Sequence, residues 1–228
     1  MLGSATSDSV PNVPKRSFHR DLLQRSSMAP DSPLPTPAWT GDIAVDPGAD
    51  LWVFGYGSLM WNPGFTFAER HAATLAGYHR SFCVASYRYR GTPERPGLVL
   101  GLDRGGSCRG IVFRVAATDV PSTLDYLWER EMDSRVYRPR LLRVRLRDGC
   151  SAEGLESVSA CCFVVDRNHP QYCRGLEEAA VVCRIAGCCG QRGPNIDYLA
   201  NTVDHLKELE ICDVRLSKLY DRVRAYAG

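Results

Sequence analysis

The chain contains no C-x-x-C pair and carries a net charge of only +2 over 228 residues. The first absence removes the common zinc and redox spacings. The second leaves too little positive charge for a nucleic-acid or anionic-membrane partner. No apolar run approaches the roughly 18 to 20 residues needed to span a bilayer. The N-terminus has no compact apolar segment ahead of a small-residue cleavage site, so a secretory signal is not expected. There is no G-x-x-x-x-G-K-[ST] and no G-x-S-x-G. His19, His71, His79, His169 and His205 are scattered without ligand spacing, and no metal is expected.

A hydrophobic content of 44% and a charged content of 24% are ordinary for a globular protein. The length allows one large domain or two small ones. Ten cysteines are present, including the adjacent pairs Cys161-Cys162 and Cys188-Cys189. Several lie in apolar runs such as Ala160 to Val165, where a free thiol behaves as a small hydrophobe. Reduced structural thiols are therefore expected, with a disulfide framework or metal site as the alternative. Residues 1–48 read as a disordered Ser/Pro-rich extension, punctuated by Pro30, Pro33, Pro35 and Pro37. Lys15 to Arg25 has some presequence character, but Asp8 and Asp21 oppose it. A folded domain over 49–228 follows, without internal repeats.

Strands are predicted at Leu51 to Phe54, Ala73 to Tyr87, Leu98 to Leu102 and Arg109 to Val115, with Gly91 and Gly105-Gly106 as turns between them. Leu142, Val144 and Leu146 alternate with Arg143, Arg145 and Arg147, a half-buried strand with a basic outer face. Ser159 to Val165 reads as a buried strand. Helices are predicted over Glu177 to Gly187, over Asn195 to Leu209, and around Leu216, Leu219, Tyr220 and Val223. Strands come mostly first and helices mostly last, which indicates α+β with an antiparallel sheet or barrel.

One further helix opens at Thr118 and Asp119, expected to cap it, with Pro121 in its first turn. Val120, Leu124, Leu127, Trp128 and Met132 form its apolar stripe, and Glu131 falls within that stripe. Glu129 and Arg130 point away from its centre. A carboxylate so placed is either paired with an arginine, capping loop amides, or acting as a base whose pKa burial has raised.

The run Val53-Phe54-Gly55-Tyr56-Gly57-Ser58-Leu59 is a strand that stops at a Gly-Tyr-Gly-Ser turn. Such turns can converge backbone N–H groups on an anion or a carbonyl oxygen. As a dinucleotide fingerprint the segment fails, because Met60 replaces the third glycine and Pro63 and Gly64 interrupt any following helix. Arg80, Arg88, Arg90 and Arg95 are mostly solvated on this reading, with one or two available to hold substrate carboxylates. Tyr137 either lines the cleft of Glu131 or is a core aromatic.

These segments, from Val53 to Trp61 onward, resemble the ChaC family of glutathione-specific γ-glutamylcyclotransferases. Gly77-Tyr78-His79-Arg80-Ser81-Phe82-Cys83, Arg90-Gly91-Thr92-Pro93, Pro96 to Leu102 and Gly110 to Val115 extend the resemblance. So do Trp128-Glu129-Arg130-Glu131-Met132, Asn168 to Tyr172 and Gly193 to Leu199. The resemblance covers about residues 51 to 226. It implies a γ-glutamylcyclotransferase-like fold, a mostly antiparallel sheet or barrel with flanking helices. It implies Glu131 as the catalytic base, and Val53, Phe54, Gly55, Tyr56, Gly57, Ser58, Leu59 and Tyr137 as substrate-binding residues. It also implies glutathione as substrate, no cofactor, and a cytoplasmic location. The alternatives left open are another γ-glutamyl amine or amino acid as substrate, or a thiol-binding module without turnover. One departure is local: many members carry two glycines where this chain has Arg135 and Val136.

Overall fold

In a computed structural model of the chain, the described residues are 43, 45–46, 48–132, 134–147 and 154–227. Most of the expected N-terminal extension therefore lies outside them, as does Cys150. Ile43 is buried beside Leu51 and Val53, so packing begins a few residues before the first strand.

Five strands carry the fold: β1 (Leu51–Gly55), β2 (Glu69–Ser86), β3 (Gly97–Val115), β4 (Tyr137–Leu146) and β5 (Ser157–Val165). They close into a barrel in the order β1-β3-β2-β4-β5. Neighbours along that order are antiparallel; β1 and β5 complete the circle as a parallel pair through Trp52↔Ala160 and Val53↔Cys161. α1 (Val120–Glu131) crosses between β3 and β4, and α2 (Glu178–Gly187), α3 (Asn195–Glu208) and α4 (Val214–Ala227) follow the barrel. A short hairpin, β6 (Cys189–Gly190) with β7 (Gly193–Pro194), leads into α3. The expected α+β arrangement is thus present.

β1 is buried on both faces because it lies between two cores. Trp52 and Phe54 join the barrel interior, which continues into Ile185, Leu199 and Val203 of the late helices. Leu51 and Val53 face Val120, Leu124 and Leu127 of α1. Closure places side chains from every strand at the centre, so the interior is packed and not a channel. Cys162 of β5 is fully buried there, and its neighbour Cys161 is fully buried on the other face, against α1. Burial pushes the Cys161 thiol up to about 12, and it stays a protonated, inert hydrophobe at neutral pH.

Two expectations are corrected. Gly105-Gly106 does not separate two strands: β3 runs unbroken past it. Both glycines have positive φ and face Gly77, also at positive φ, where the β2–β3 register shifts between Ala76 and Tyr78. The glycines allow a bulge that coils a long hairpin around the barrel. At the start of α1, Asp119 occupies the capping position but its side chain makes no capping bond. The first turn is held by the Thr123 N–H on the Asp119 carbonyl and by Pro121.

Arg135, between α1 and β4, has φ +54°, the left-handed region that a Cβ disfavours. Arg135→Gly relieves that strain but loosens the unfolded chain. The expected net result is a stabilisation of about 0.5–1 kcal/mol, measured as a higher urea midpoint at unchanged slope.

Candidate active site

Beyond Gly55 the chain turns through Tyr56 and Gly57 into one turn of 3-10 helix at Ser58–Met60. The Met60 N–H donates to the Gly57 carbonyl at 2.9 Å, and the Asn62 N–H to the Ser58 carbonyl at 2.9 Å. The turn folds so closely on itself that a Cβ at Gly55 would stand 3.1 Å from the Leu59 Cβ and from the Met60 nitrogen. No described backbone carbonyl accepts from the N–H groups of Tyr56, Gly57 or Ser58. All three residues line the cleft.

Glu131 is the last residue of α1, where the negative end of the helix disfavours a carboxylate. Its position follows from the stripe that buries Leu124 and Leu127 against β1. The side chain is 17% exposed. Desolvation raises its pKa, partly offset by the Arg130 guanidinium, whose Nε lies 3.2 Å from Oε1. A carboxyl in that setting exchanges its proton nearer neutrality than an ordinary glutamate.

The cleft is lined by Tyr56, Gly57, Ser58, Leu59, Leu100, Glu131, Tyr137, Phe163 and Tyr198. Burial raises all three phenols, Tyr56 and Tyr137 well above their ordinary value and Tyr198 to about 12. They stay neutral at physiological pH, so Glu131 is the titratable lining group suited to moving a proton there. A separate cavity of about 360 Å³ lies at the α3–α4 junction, lined by Leu206, Ile211, Asp213 and Leu216 among others, and shares no residue with this cleft.

The structure brings Tyr56, Gly57, Ser58, Leu59 and Tyr137 together with Glu131. Val53 and Phe54 are fully buried and do not line the cleft; together with Gly55 they carry the turn. Of the four arginines, Arg88 and Arg95 are exposed as expected, Arg90 is half-buried, and Arg80 departs from the solvated reading. Arg80 is buried and used internally: Nε donates to the Tyr56 carbonyl at 2.6 Å and Nη1 to Asp213 Oδ2 at 2.8 Å. Arg90 donates to the Arg192 and Pro194 carbonyls, and Arg88 to Gln191. Neither Arg80, Arg88, Arg90 nor Arg95 lines the cleft.

Sequence reasoning missed Arg130 and Tyr198. Arg130 looks peripheral on a helical wheel, yet the helix ends beside it. Its guanidinium donates to Ser58 Oγ at 2.9 Å, the Asn62 carbonyl at 2.7 Å and Tyr126 Oη at 2.7 Å. It thereby ties the end of α1 to the turn. Tyr198 stands in the first turns of α3, in a segment whose resemblance to the ChaC pattern was already visible.

The ChaC family profile, described as ChaC-like protein, matches residues 51–226. The chain belongs to that family. It is 36% identical over 174 residues to a glutathione-specific γ-glutamylcyclotransferase of Escherichia coli K12, covering 76% of this chain and 73% of that protein. It is 31% identical over 183 residues to glutathione-specific γ-glutamylcyclotransferase 1 of Mus musculus, covering 79% and 78%. Among solved structures, a glutathione-specific γ-glutamylcyclotransferase from yeast superposes with a TM-score of 0.69 over 78% of this chain and 97% of that one. Its sequence identity is 21%, and the likeness establishes the fold.

Proposed function

We propose that this protein is a γ-glutamylcyclotransferase that converts glutathione to 5-oxoproline and cysteinylglycine, with Glu131 moving the protons. The observation that carries this reading is a desolvated carboxylate sharing one cleft with a turn whose Tyr56, Gly57 and Ser58 amides have no described backbone acceptor. The names of the relatives at 36% and 31% identity support glutathione as the substrate.

The reaction consumes no water. The α-nitrogen of the glutamyl group bonds to its own γ-carbon, the carbonyl pair moves onto oxygen, and the bond to the cysteinyl nitrogen then breaks. Over the cycle the α-nitrogen loses two protons and the departing nitrogen gains two, so one carboxyl can take and return them in turn. Attack is intramolecular, and holding the folded conformer supplies much of the acceleration. In this reading the Tyr56–Ser58 amides grip the permanently charged α-carboxylate, and Tyr137 helps to fix the glutamyl group. Such a reaction needs no cofactor and suits a cytoplasmic, thiol-reducing setting. No helix among the described residues is long and apolar enough to cross a membrane.

The direct test is release of 5-oxoproline and cysteinylglycine from glutathione by purified protein, beside a panel of other γ-glutamyl compounds. Preference for γ-glutamyl-alanine overturns the choice of substrate, and glutathione binding without 5-oxoproline overturns the enzyme. The pH profile has a defined sign. The base works deprotonated, so activity falls as pH drops through the Glu131 pKa. Arg130 lowers that pKa. Arg130→Met is therefore expected to move the acidic limb of the kcat/KM profile to higher pH, and an unmoved limb contradicts the pairing.

A further inference from the structure

β3 leaves one edge open beside the cleft. Its pairing with β1 begins only at Ile111, and its one ladder pairing with β5 is at Leu102. Alternate residues of a strand direct their N–H and C=O groups to the same edge. Leu98 and Leu100 share this one, and α3 docks along it. Asn195, fully buried, accepts from the Leu98 N–H at 2.6 Å and donates to the Leu98 carbonyl at 2.7 Å. One turn later Tyr198 reaches the backbone of the next residue on that edge, Leu100.

Two phenols meet the backbone of Leu100 from opposite polarities. Tyr137 Oη donates to the Leu100 carbonyl at 2.7 Å, so its proton is engaged and its lone pairs remain for the cleft. The Leu100 N–H faces the oxygen of Tyr198. Among the described residues no acceptor takes the Tyr198 hydroxyl proton, and Tyr198 lines the cleft with Glu131. A phenol with its oxygen facing an amide donor and its proton unengaged is a hydrogen-bond donor to whatever the cleft contains.

We infer that Tyr198 is an oxyanion donor: its hydroxyl hydrogen-bonds the γ-carbonyl oxygen of the substrate and stabilises the negative charge formed there on ring closure. This inference rests on the cyclotransferase reading and adds a residue to it. The neighbouring charge selects this oxygen over the α-carboxylate. A permanent carboxylate beside ionised Glu131 is repelled, whereas the oxyanion appears only when Glu131 has taken the proton and is neutral. The step balances: the nitrogen lone pair forms the bond to the γ-carbon, the carbonyl π pair moves to oxygen, and Glu131 receives the proton. When the tetrahedral centre collapses, the pair returns, the bond to the departing nitrogen breaks, and Glu131 protonates that nitrogen. The proton of Tyr198 stays on Tyr198 throughout. Its neighbour Tyr137 presents lone pairs, the polarity that suits the α-ammonium.

Tyr198→Phe keeps the ring and removes the donor. The expected result is a fall in kcat of roughly 10²-fold, with KM changed little, as for loss of one oxyanion donor. Glutathione affinity by calorimetry is expected to be unchanged. All readings are taken below the variant's own melting temperature, which separates loss of chemistry from loss of fold. An unchanged kcat overturns the inference, and so does a raised KM at constant kcat, which marks ground-state binding of the α-carboxylate. Tyr137→Phe is expected to show the other pattern, a raised KM with the smaller change in kcat; if it matches Tyr198→Phe, the opposed polarity is wrong. Wild-type protein that makes no 5-oxoproline from any γ-glutamyl compound fails the cyclotransferase reading itself. A working wild type with an unaffected Tyr198→Phe fails only the oxyanion assignment.

Discussion

Glu131→Gln is expected to slow release of 5-oxoproline by about 10²–10⁴-fold, the usual contribution of a positioned base. The substitution preserves volume and a hydrogen-bonding terminus, so α1 keeps its packing through Leu124 and Leu127. Arg130 retains its bonds to Ser58, Asn62 and Tyr126, and the turn keeps its anchor. Removing a carboxylate that burial disfavours costs little stability. A loss of rate therefore arises with melting temperature and glutathione affinity nearly unchanged. Wild-type turnover in this variant would assign the chemistry to another group.

Arg80→Met is expected to have the largest effect on stability. The guanidinium side chain is 2% exposed and serves the Tyr56 carbonyl, the Arg109 carbonyl and Asp213 together. Asp213 in turn accepts from the Leu216 N–H at the start of α4. Removing one partner of a buried pair costs about 3–5 kcal/mol. Asp213 is 19% exposed and rehydrates in part, which places the expected loss near the lower figure, about 3 kcal/mol. A domain of this size then melts roughly 6–12 °C lower. Because the Tyr56 carbonyl loses its donor, the turn loosens and kcat/KM falls even where the protein stays folded. An unchanged melting temperature would show that the three bonds contribute no net stability. Arg80→Lys is expected to recover only part of the loss, since an ammonium cannot serve three separated acceptors in the plane that a guanidinium spans.

The strands and helices were largely legible because hydrophobic period and turn residues act locally. Glu131 was legible for the same reason, as a charge on an apolar stripe. Gly105-Gly106 misled because the same two residues suit a hairpin turn or a bulge, and only the partner strand with Gly77 decides between them. Arg130 misled because a wheel assumes a continuing helix, while α1 ends one residue later. Arg80 was not told apart from three arginines read with it as mostly solvated, since its three acceptors come from segments far apart in the chain. The polarity of Tyr137 and Tyr198 is set by the backbone of a single residue, Leu100, in a third element, which no sequence period encodes.

The parallel pairing of β1 with β5 has a kinetic consequence. Trp52 and Ala160 are neighbours across most of the folded chain, and the contact must wait for β2, β3 and β4. Such long loops close late and slowly. The cleft draws its groups from the end of β1, the end of α1, the start of β4 and α3, so none of these segments carries a partial site. In refolding, strand content is expected to appear before activity, and activity to return in one late phase with the last barrel contact.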